Sequence, residues 1–408
     1  MLPITDYPKA VGQFLSSFES CFRRAEQLTH FAEYITGLIV SWRFTINHMN
    51  DQFVGHRDQS TKNRFINESP WSEIKVNYRR IQLILQRVKK VSPRKCFLII
   101  DDVKCAHDKG TRKMEQLGFF KDTSNGGWVN AHVIVTAHLI TPLGHFPIEF
   151  RLYYPNGRIT KIRLACWLVK KAISLGLPFK TVVFDSWYLA PELIDFIKGL
   201  NPDIKWVSRL ASNRVMLSPK GRMAITEYLN DLTTDLWKEI ECNGKTYTVH
   251  VKNLTLSDHR KVRVVAYKDD EEETGYTMLA TDALDWEAAS VIRAYDHRWT
   301  IDAFYRDAKQ NLGLEGYMIR DIKGIKRHWY LVFVAFTLLQ LSSMDYSLVR
   351  SFKNNAASIG NKCRQAMCDT VRMFITWVIK LSAMEKNSQE IFEIAFMPKS
   401  RLRFVSLS

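Results

Sequence analysis

Two short apolar runs near the middle of the chain constrain its fold most. Phe97–Ile100 and Lys180–Phe184 have the length and composition of buried strands, and each is followed at once by acidic residues. Asp101 and Asp102 follow the first run, and Asp185 follows the second. Groups at the ends of neighbouring strands in an open sheet converge on one edge. We therefore expect these carboxylates at one edge of a sheet.

The segments around these runs predict an α/β fold with a mixed sheet. Two further apolar, β-branched stretches follow the first run, and helical segments then alternate with strands. The further strands and helices are Ala131–Ile140, Ile148–Tyr154, the helix Ile159–Leu177, the helix Pro191–Leu200 and Lys205–Ser208. The resulting order is three strands, helix, strand, helix, strand.

Changes of pattern along the chain divide it into four regions. Residues 1–95 carry apolar side chains at helical spacing, and residues 96–209 together with 287–345 form the mixed-sheet core. Residues 210–286 read as a β-rich insertion, with a hairpin signal at Asn243-Gly244. Residues 346–408 form a helical C-terminal region with a basic tail, containing Lys399, Arg401 and Arg403.

The charge balance points to a polyanionic partner. The 408 residues carry 58 Lys and Arg against 42 Asp and Glu, a net charge of +16, and such an excess favours nucleic acid over a membrane surface. Eight basic residues and no acidic one fall within residues 75–95. A solvated helix face is the alternative interpretation of this run. The candidates for DNA contact in this region are Arg79, Arg80, Lys89 and Lys90.

Cysteine usage and apolar runs indicate where the protein works. The seven cysteines are scattered without a Cys-x-x-Cys pair, so we expect neither a disulfide framework nor a thiolate zinc site. The N-terminus lacks the basic-then-apolar order of a signal peptide, and the longest apolar run, Trp329–Leu341, is too short to span a bilayer. The sequence therefore predicts a cytoplasmic protein without a membrane partner.

One segment after the insertion concentrates four functional groups. Trp286–Leu312 contains no Gly or Pro and is predicted to be helical throughout. Tyr295, Arg298, Asp302 and Lys309 lie at offsets 0, 3, 7 and 14, which places them within a stripe roughly 60° wide. The competing interpretation is a helix with ordinary ion pairs, of which Arg298 and Asp302 would be one.

The sequence thus offers three carboxylates, two after predicted strands and one on a predicted helix, and such a set could form a metal site. Asp102, Asp185 and Asp302 are the candidate ligands and catalytic acids. Mg²⁺ prefers carboxylate and water oxygens, and two such ions activate an attacking oxygen and stabilise a leaving one. Asp101 is the alternative first acid, because successive side chains on a strand point to opposite faces and only one of the pair can face the site.

The helical segment resembles a signature of the DDE-type transposases of bacterial insertion sequences. The cut-and-paste group of this family carries Tyr-x2-Arg-x3-Glu-x6-Lys on the helix with the third acid, and here Tyr295, Arg298, Asp302 and Lys309 stand at those positions. The chain departs from the signature at Asp302, where the family usually has Glu. Aspartate is one methylene shorter, so the helix would sit closer to the metals or coordinate through water.

The regions of the first two acids resemble the same family. An apolar strand followed by Asp101-Asp102 is similar to its first acidic motif, and alignment by eye favours Asp102 as the ligand. Asp185-Ser-Trp187-Tyr188 is similar to the second motif. The resemblance covers roughly residues 30–345, and it implies a ribonuclease-H-like catalytic core interrupted by the β-rich insertion.

The resemblance implies a function in DNA transposition. Such an enzyme binds the terminal inverted repeats of its element, cleaves with two Mg²⁺ per site (Mn²⁺ as a substitute), and joins 3′-OH ends to target DNA. It works as a homodimer on double-stranded DNA in the bacterial cytoplasm, associated with the nucleoid when bound. Tyr295, Arg298 and Lys309 would contact DNA. Two alternatives stay open: a ribonuclease-H-like nuclease without strand transfer, and a non-catalytic DNA-binding protein derived from a transposase.

Overall fold

The computed structural model describes most of the chain. The described ranges are residues 2–54, 58–122, 126–155, 157–219, 221–268, 276–343 and 358–396. The basic tail predicted at Lys399, Arg401 and Arg403 lies outside them.

Thirteen helices and twelve strands lie within these ranges. The helices are α1 Lys9–Gly12, α2 Ala25–Val40, α3 Ile46–Asp51, α4 Gln59–Asn67, α5 Glu73–Val88, α6 Lys161–Ser174, α7 Pro191–Leu200, α8 Ile225–Asn230, α9 Ala288–Asp296, α10 Trp299–Leu312, α11 Ile322–Leu341, α12 Ile359–Ala383 and α13 Ser388–Phe396. The strands are β1 Phe97–His107, β2 Gly118–Lys121, β3 Trp128–Thr141, β4 Gly144–Tyr153, β5 Thr181–Phe184, β6 Lys205–Arg209, β7 Val215–Ser218, β8 Gly221–Ala224, β9 Lys238–Cys242, β10 Lys245–Leu256, β11 Lys261–Lys268 and β12 Thr277–Thr281.

The chain forms two compact units. The first comprises Met1–Arg87, Cys105–His132 and Phe304–Ser408, and the second comprises Val88–Lys104 and Val133–Ala303. These two units are defined by the compactness of the chain. They do not test the four regions inferred from the sequence, which stay a prediction.

The first unit is mainly helical, and α11 forms its centre. This helix is buried on nearly all sides, including the apolar run Trp329–Leu339, as expected for a helix without a polar face. It packs against α2, α4 and α12. Gly313 ends α10 with a positive φ of 69°, and the ring of Phe44 occupies the place that a Cβ would need. No helix in the described ranges is long and apolar enough to cross a bilayer.

The second unit contains the sheet that carries the acidic residues. Its first strands run in the order β4-β3-β1-β5-β6, with β1, β5 and β6 parallel and β3 antiparallel to β4. This is the ribonuclease-H-like mixed sheet that the sequence predicted. The antiparallel strands β7 to β12 continue the sheet beyond β6 and form the β-rich insertion. The prediction of an α/β fold with a mixed sheet, a β-rich insertion and helical flanks is confirmed.

Strand β1 extends further than its apolar run indicated. It continues through Asp101-Asp102 to His107, because Val103 and Cys105 restore the alternation of buried side chains. The expectation that the two aspartates end the strand is wrong. They lie within it, where their side chains must point to opposite faces.

The helix predicted over Trp286–Leu312 is interrupted. α9 ends at Asp296 and α10 begins at Trp299, and the backbone N–H groups of Arg298, Thr300 and Ile301 each donate to the carbonyl three residues earlier. Bonds of this spacing belong to a tighter 3-10 turn. The single-helix geometry used to place Tyr295 and Arg298 on one stripe with Lys309 therefore does not hold across this break.

Candidate active site

The parallel pair β1 and β5 brings two acidic residues next to each other. Ile100 pairs with Phe184 in the register of the two strands, so Asp101 and Asp185 are the next residues on neighbouring strands. The apolar residues before them are fully buried and hold both strands in the centre of the sheet. The sequence predicted carboxylates on neighbouring strands at one edge of the sheet, and this pairing brings Asp101 and Asp185 to neighbouring strands.

Asp101 lies in a largely buried position close to other charges. Its Oδ2 is 3.1 Å from Nη1 of Arg298, and its Oδ1 accepts a hydrogen bond from the backbone N–H of Asp102. Burial raises the pKa of Asp101 to about 7, with smaller contributions in the same direction from the charges of Asp102 and Asp302. Asp101 is thus a carboxylate whose ionised form needs a nearby cation.

Arg298 joins Asp101 to Asp302. The same Nη1 atom lies 3.3 Å from Oδ2 of Asp302, so the two carboxylate oxygens are no further apart than the sum of their distances to this nitrogen. Burial lowers the pKa of Arg298, but Tyr295 and the carboxylates of Asp302, Asp101 and Asp185 together raise it above its usual value. Asp101 and Asp302 therefore contact one guanidinium group, and the charge of Asp185 acts on it as well.

Asp185 and Tyr295 complete this cluster. Oδ1 of Asp185 accepts hydrogen bonds from the backbone N–H and the hydroxyl of Ser186, which starts a short 3-10 turn. Burial raises the pKa of Tyr295, and the charge of Asp185 adds to that rise while Arg298 opposes it. For Asp302, burial also raises the pKa, Arg298 lowers it, and Asp185 raises it. These mutual influences place the phenol and the three carboxylates within electrostatic reach of each other.

Asp102 has different partners from Asp101. Its Oδ2 accepts from Nζ of Lys161 at 2.7 Å, and its Oδ1 accepts from the hydroxyl of Tyr188 at 2.8 Å. The indole of Trp187 is 56% exposed, and Nζ of Lys161 lies 5.2 Å from the centre of that ring. Asp101 thus shares the guanidinium of Arg298 with Asp302, whereas the preferred sequence candidate Asp102 contacts Lys161 and Tyr188.

Lys161 is a member of the site that the sequence did not single out. It begins α6, whose first turn is capped by the hydroxyl of Thr160. Nothing in its local sequence distinguishes it from other lysines, because its partner Asp102 is 59 residues away along the chain. Tyr188 had been noted only as part of the second motif.

Lys309 lies in the first unit. Its Nζ is 2.8 Å from Oε2 of Glu315, and the carboxylate of Glu315 also accepts from the backbone N–H of Ala106. This partner, Glu315, lies beyond the end of α10. A DNA-contacting role for Lys309 stays a prediction.

The basic residues of the first 95 positions have unequal surroundings. Arg79 donates from Nε to the carbonyl of Ser17 at 2.6 Å, and Lys89 and Lys90 are exposed. Arg80 is fully buried, and its guanidinium donates to Asn77 and to the hydroxyl of Thr337. The prediction that Arg80 contacts DNA is therefore corrected: Arg80 lies on the same helix face as the buried Ile84 and serves the packing of α5.

The chemistry of the acidic cluster fits a divalent cation. In the described part of the chain, no three His, Cys, Asp or Glu side chains stand together in a ready metal-binding arrangement. Asp101 and Asp302 nevertheless supply hard oxygen ligands, and their raised pKa values show that the site favours positive charge near them. Arg298 provides that charge here, and Asp101 and Asp302 are the residues that would hold a divalent cation.

The fold and the acidic cluster define an α/β protein whose sheet carries carboxylates of the kind that metal-dependent nucleases use. The sequence model of the DDE superfamily endonuclease family matches residues 17–230, which is more than half of the chain. The chain belongs to this family. The resemblance to DDE-type insertion-sequence transposases seen in the sequence is confirmed.

The chain is similar to a curated transposase. The chain is 28% identical over 197 residues to the probable transposase for insertion sequence element IS701 from Microchaete diplosiphon. The match covers 46% of this chain and 50% of the relative, so the chain spans about half the length of the relative it matches.

The solved structures are more distant. A piggyBac transposase synaptic complex with hairpin DNA has a TM-score of 0.47 at 12% identity, covering 94% of this chain and 82% of that one. The NurA nuclease from Sulfolobus solfataricus has a TM-score of 0.27 at 10% identity, covering 55% and 80%. Likenesses this weak support no argument about the chain.

Proposed function

We propose that the chain is a DNA transposase that binds the terminal inverted repeats of its insertion sequence, cuts there by phosphodiester hydrolysis and joins the freed 3′-OH ends to target DNA. The observation that carries the proposal is the contact of Asp101 and Asp302 with the guanidinium of Arg298, on which the charge of Asp185 also acts. Membership of the DDE superfamily endonuclease family supports the cleavage step. The similarity to an insertion-sequence transposase supports the joining step.

Asp101, Asp185 and Asp302 are the proposed catalytic acids and ligands of two Mg²⁺ ions, with Mn²⁺ as a substitute. Bound cations of this kind activate the attacking oxygen and stabilise the leaving one. Asp302 is shorter than the usual glutamate, yet its carboxylate already reaches the same guanidinium nitrogen as Asp101. The shorter side chain is therefore compatible with a shared site.

The remaining residues position the DNA. Arg298 would contact a backbone phosphate, since a guanidinium matches the geometry of a phosphate as well as that of a carboxylate. Tyr295, which is buried beside Arg298, orients that guanidinium and the adjacent backbone. Lys161 and Tyr188 hold Asp102 and thereby fix the conformation of β1 next to Asp101. Lys309, Arg79, Lys89 and Lys90 are proposed phosphate contacts.

The assembly and location follow from the same proposal. A homodimer on double-stranded DNA would bring two element ends together, and the net charge of +16 suits such a polyanionic complex. The bacterial cytoplasm, with the protein bound to the nucleoid, is the proposed location.

A plasmid assay tests the proposal against its rivals. A supercoiled plasmid carrying both element ends is incubated with the protein and Mg²⁺, and the products are separated and sequenced across their junctions. Cut ends joined to new sites support a transposase. Cutting without joined products would replace the proposal with a nuclease, and binding of the ends without cutting would replace it with a non-catalytic DNA-binding protein.

A further inference from the structure

A groove of about 480 Å³ lies in the second unit, and none of the cluster residues Asp101, Asp185, Arg298 and Asp302 is among its lining residues. It is formed by the start of β1, the end of β3 and one face of α9. Its lining combines positive charges with rings and contains no carboxylate. The residues that give it this character are Arg94, Lys95, Arg293, Phe97, Trp286 and His297.

The face of α9 that lines the groove differs from the face that serves the carboxylates. Ser290, Arg293 and Ala294 line the groove together with His297 just past the end of the helix, at offsets 0, 3, 4 and 7. Tyr295 lies roughly 140° from this stripe around the helix. The groove is thus a separate place on the same element.

Aromatic rings form the floor of the groove. The rings of Phe97 and His297 lie 4.4 Å apart between centres at an angle of 38°. Burial lowers the pKa of His297, so its ring is uncharged near neutral pH and offers an aromatic face. Trp286 stands half-buried beside them, directly before α9. Together these rings offer stacking surfaces to a flat ligand.

Cations form the rim. Arg94 and Lys95 are exposed in the 3-10 turn before β1 and end the basic run that the sequence singled out. Arg293 is exposed as well, and its Nη2 donates to the hydroxyl of Ser290 at 3.3 Å. None of the three forms an ion pair with a carboxylate of the described residues. Positive charges of this kind beside a low-dielectric wall attract an anion strongly.

We propose that this groove binds an unpaired nucleotide of a DNA strand, with the base against Phe97, His297 and Trp286 and the flanking phosphates on Arg94, Lys95 and Arg293. Rings and cations together select a ligand that is both aromatic and anionic. Bases in a duplex are covered by their neighbours, so only an unpaired base reaches the ring floor. The volume lies within the range of pockets that enclose a small ligand.

The proposal rests on the proposed function only in that DNA is the ligand. It is tested by binding rather than by cleavage. Fluorescence anisotropy measures the affinity of the full chain for a labelled single strand of about ten thymidines and for a duplex of the same length. Trp286→Ala is expected to weaken single-strand binding about tenfold, because it removes the stacking surface of one base, and to leave duplex binding unchanged.

Matched variants at other sites show whether a loss of affinity is specific to the groove. Trp128→Ala removes an equally large, exposed indole in the first unit and should change neither affinity. Arg293→Ala and Arg94→Ala should each lower the salt slope of single-strand binding by about 0.7, whereas Arg222→Ala, an exposed arginine on β8, should not. Pro142→Glu places a negative charge on the exposed rim and should also weaken binding of the single strand.

Three results would overturn the proposal. The first is that Trp286→Ala binds the single strand with unchanged affinity, and the second is that this variant loses equal affinity for the single strand and for the duplex. The third is that thymidine monophosphate displaces the strand with an affinity equal to that of the strand. The last result would identify a free nucleotide as the ligand. Asp101→Asn should keep the Trp286-dependent binding, so a failure of cleavage and a failure of this groove are separately visible.

Discussion

Two arginines in the two units of the molecule show how surroundings decide the role of one residue type. Arg327, in the first unit, donates to the backbone carbonyls of Ile66, Ser69 and Trp71, and its side chain is 2% exposed. Arg298, in the second unit, contacts the carboxylates of Asp101 and Asp302.

The difference lies in what each arginine's partners can do without it. Backbone carbonyls cannot take up a proton in place of the guanidinium, so Arg327 is fixed as part of the structure. The carboxylates beside Arg298 can accept a proton or a cation instead. An arginine bound by carbonyls therefore marks packing, and one surrounded by carboxylates marks a site that exchanges ligands.

Replacing each arginine in turn by methionine is expected to show the largest difference in stability between the two arginines. Arg327→Met leaves several buried carbonyls and Glu73 without their donor and should lower the free energy of unfolding by about 3 kcal/mol. Arg298→Met should lower it by about 1 kcal/mol or less, because protonation relieves Asp101. Urea denaturation of both variants at pH 7 measures the two values. Equal losses would remove the distinction between the arginines.

The pH dependence of stability should show the cost of ionising the buried carboxyl group of Asp101. Its folded pKa of about 7 lies above the ordinary value of 3.8, so the folded state retains the proton that the unfolded state releases. Stability should therefore fall as pH rises from about 4 to 7, by about 4 kcal/mol in total, and level off above. Asp101→Asn should lack this fall. Denaturation curves of wild type and variant across that range give the difference, and parallel curves would contradict the assignment.

A smaller effect tests Lys309 in the first unit. Lys309→Ala should reduce the salt slope of duplex binding by about one unit if the ammonium contacts a phosphate. Glu315→Gln breaks the same ion pair but keeps the cation, so it is the matched control. The two variants should lose similar, small amounts of stability. Identical salt slopes for wild type and Lys309→Ala would assign Lys309 to its pair with Glu315 alone.

The sequence predicted those features that depend on local pattern. The apolar runs at Phe97–Ile100 and Lys180–Phe184 were sufficient to place two strands of the sheet and the acidic residues beside them. The continuation of β1 to His107 was missed because two adjacent charged residues hide the alternation. The break at His297 was missed because no Gly or Pro marks it; hydrogen bonds alone tighten the turn there.

Side-chain partners that are distant in sequence were less predictable. Arg80 was taken as a surface cation, although its position shares the helical stripe of Val76, Ile81 and Ile84, which are all buried. That spacing was the signal that could have placed it inside. Lys161 offered no such signal, because only the folded sheet brings it to Asp102. The choice between Asp101 and Asp102 also required the positions of Arg298 and Lys161.

The central claim is that Asp101, together with Asp185 and Asp302, carries DNA cleavage, and that Asp102 does not. The most direct measurement compares the cleavage rates of Asp101→Asn and Asp102→Asn on a duplex containing one element end, at saturating Mg²⁺ and with binding of the duplex measured in parallel. Asp101→Asn should lose on the order of a thousandfold or more, since a lost metal ligand removes several kcal/mol of transition-state stabilisation. Asp102→Asn should keep the rate within about tenfold, because its partners Lys161 and Tyr188 only position β1. Full activity in Asp101→Asn with loss in Asp102→Asn would contradict the account and restore Asp102 as the first acid.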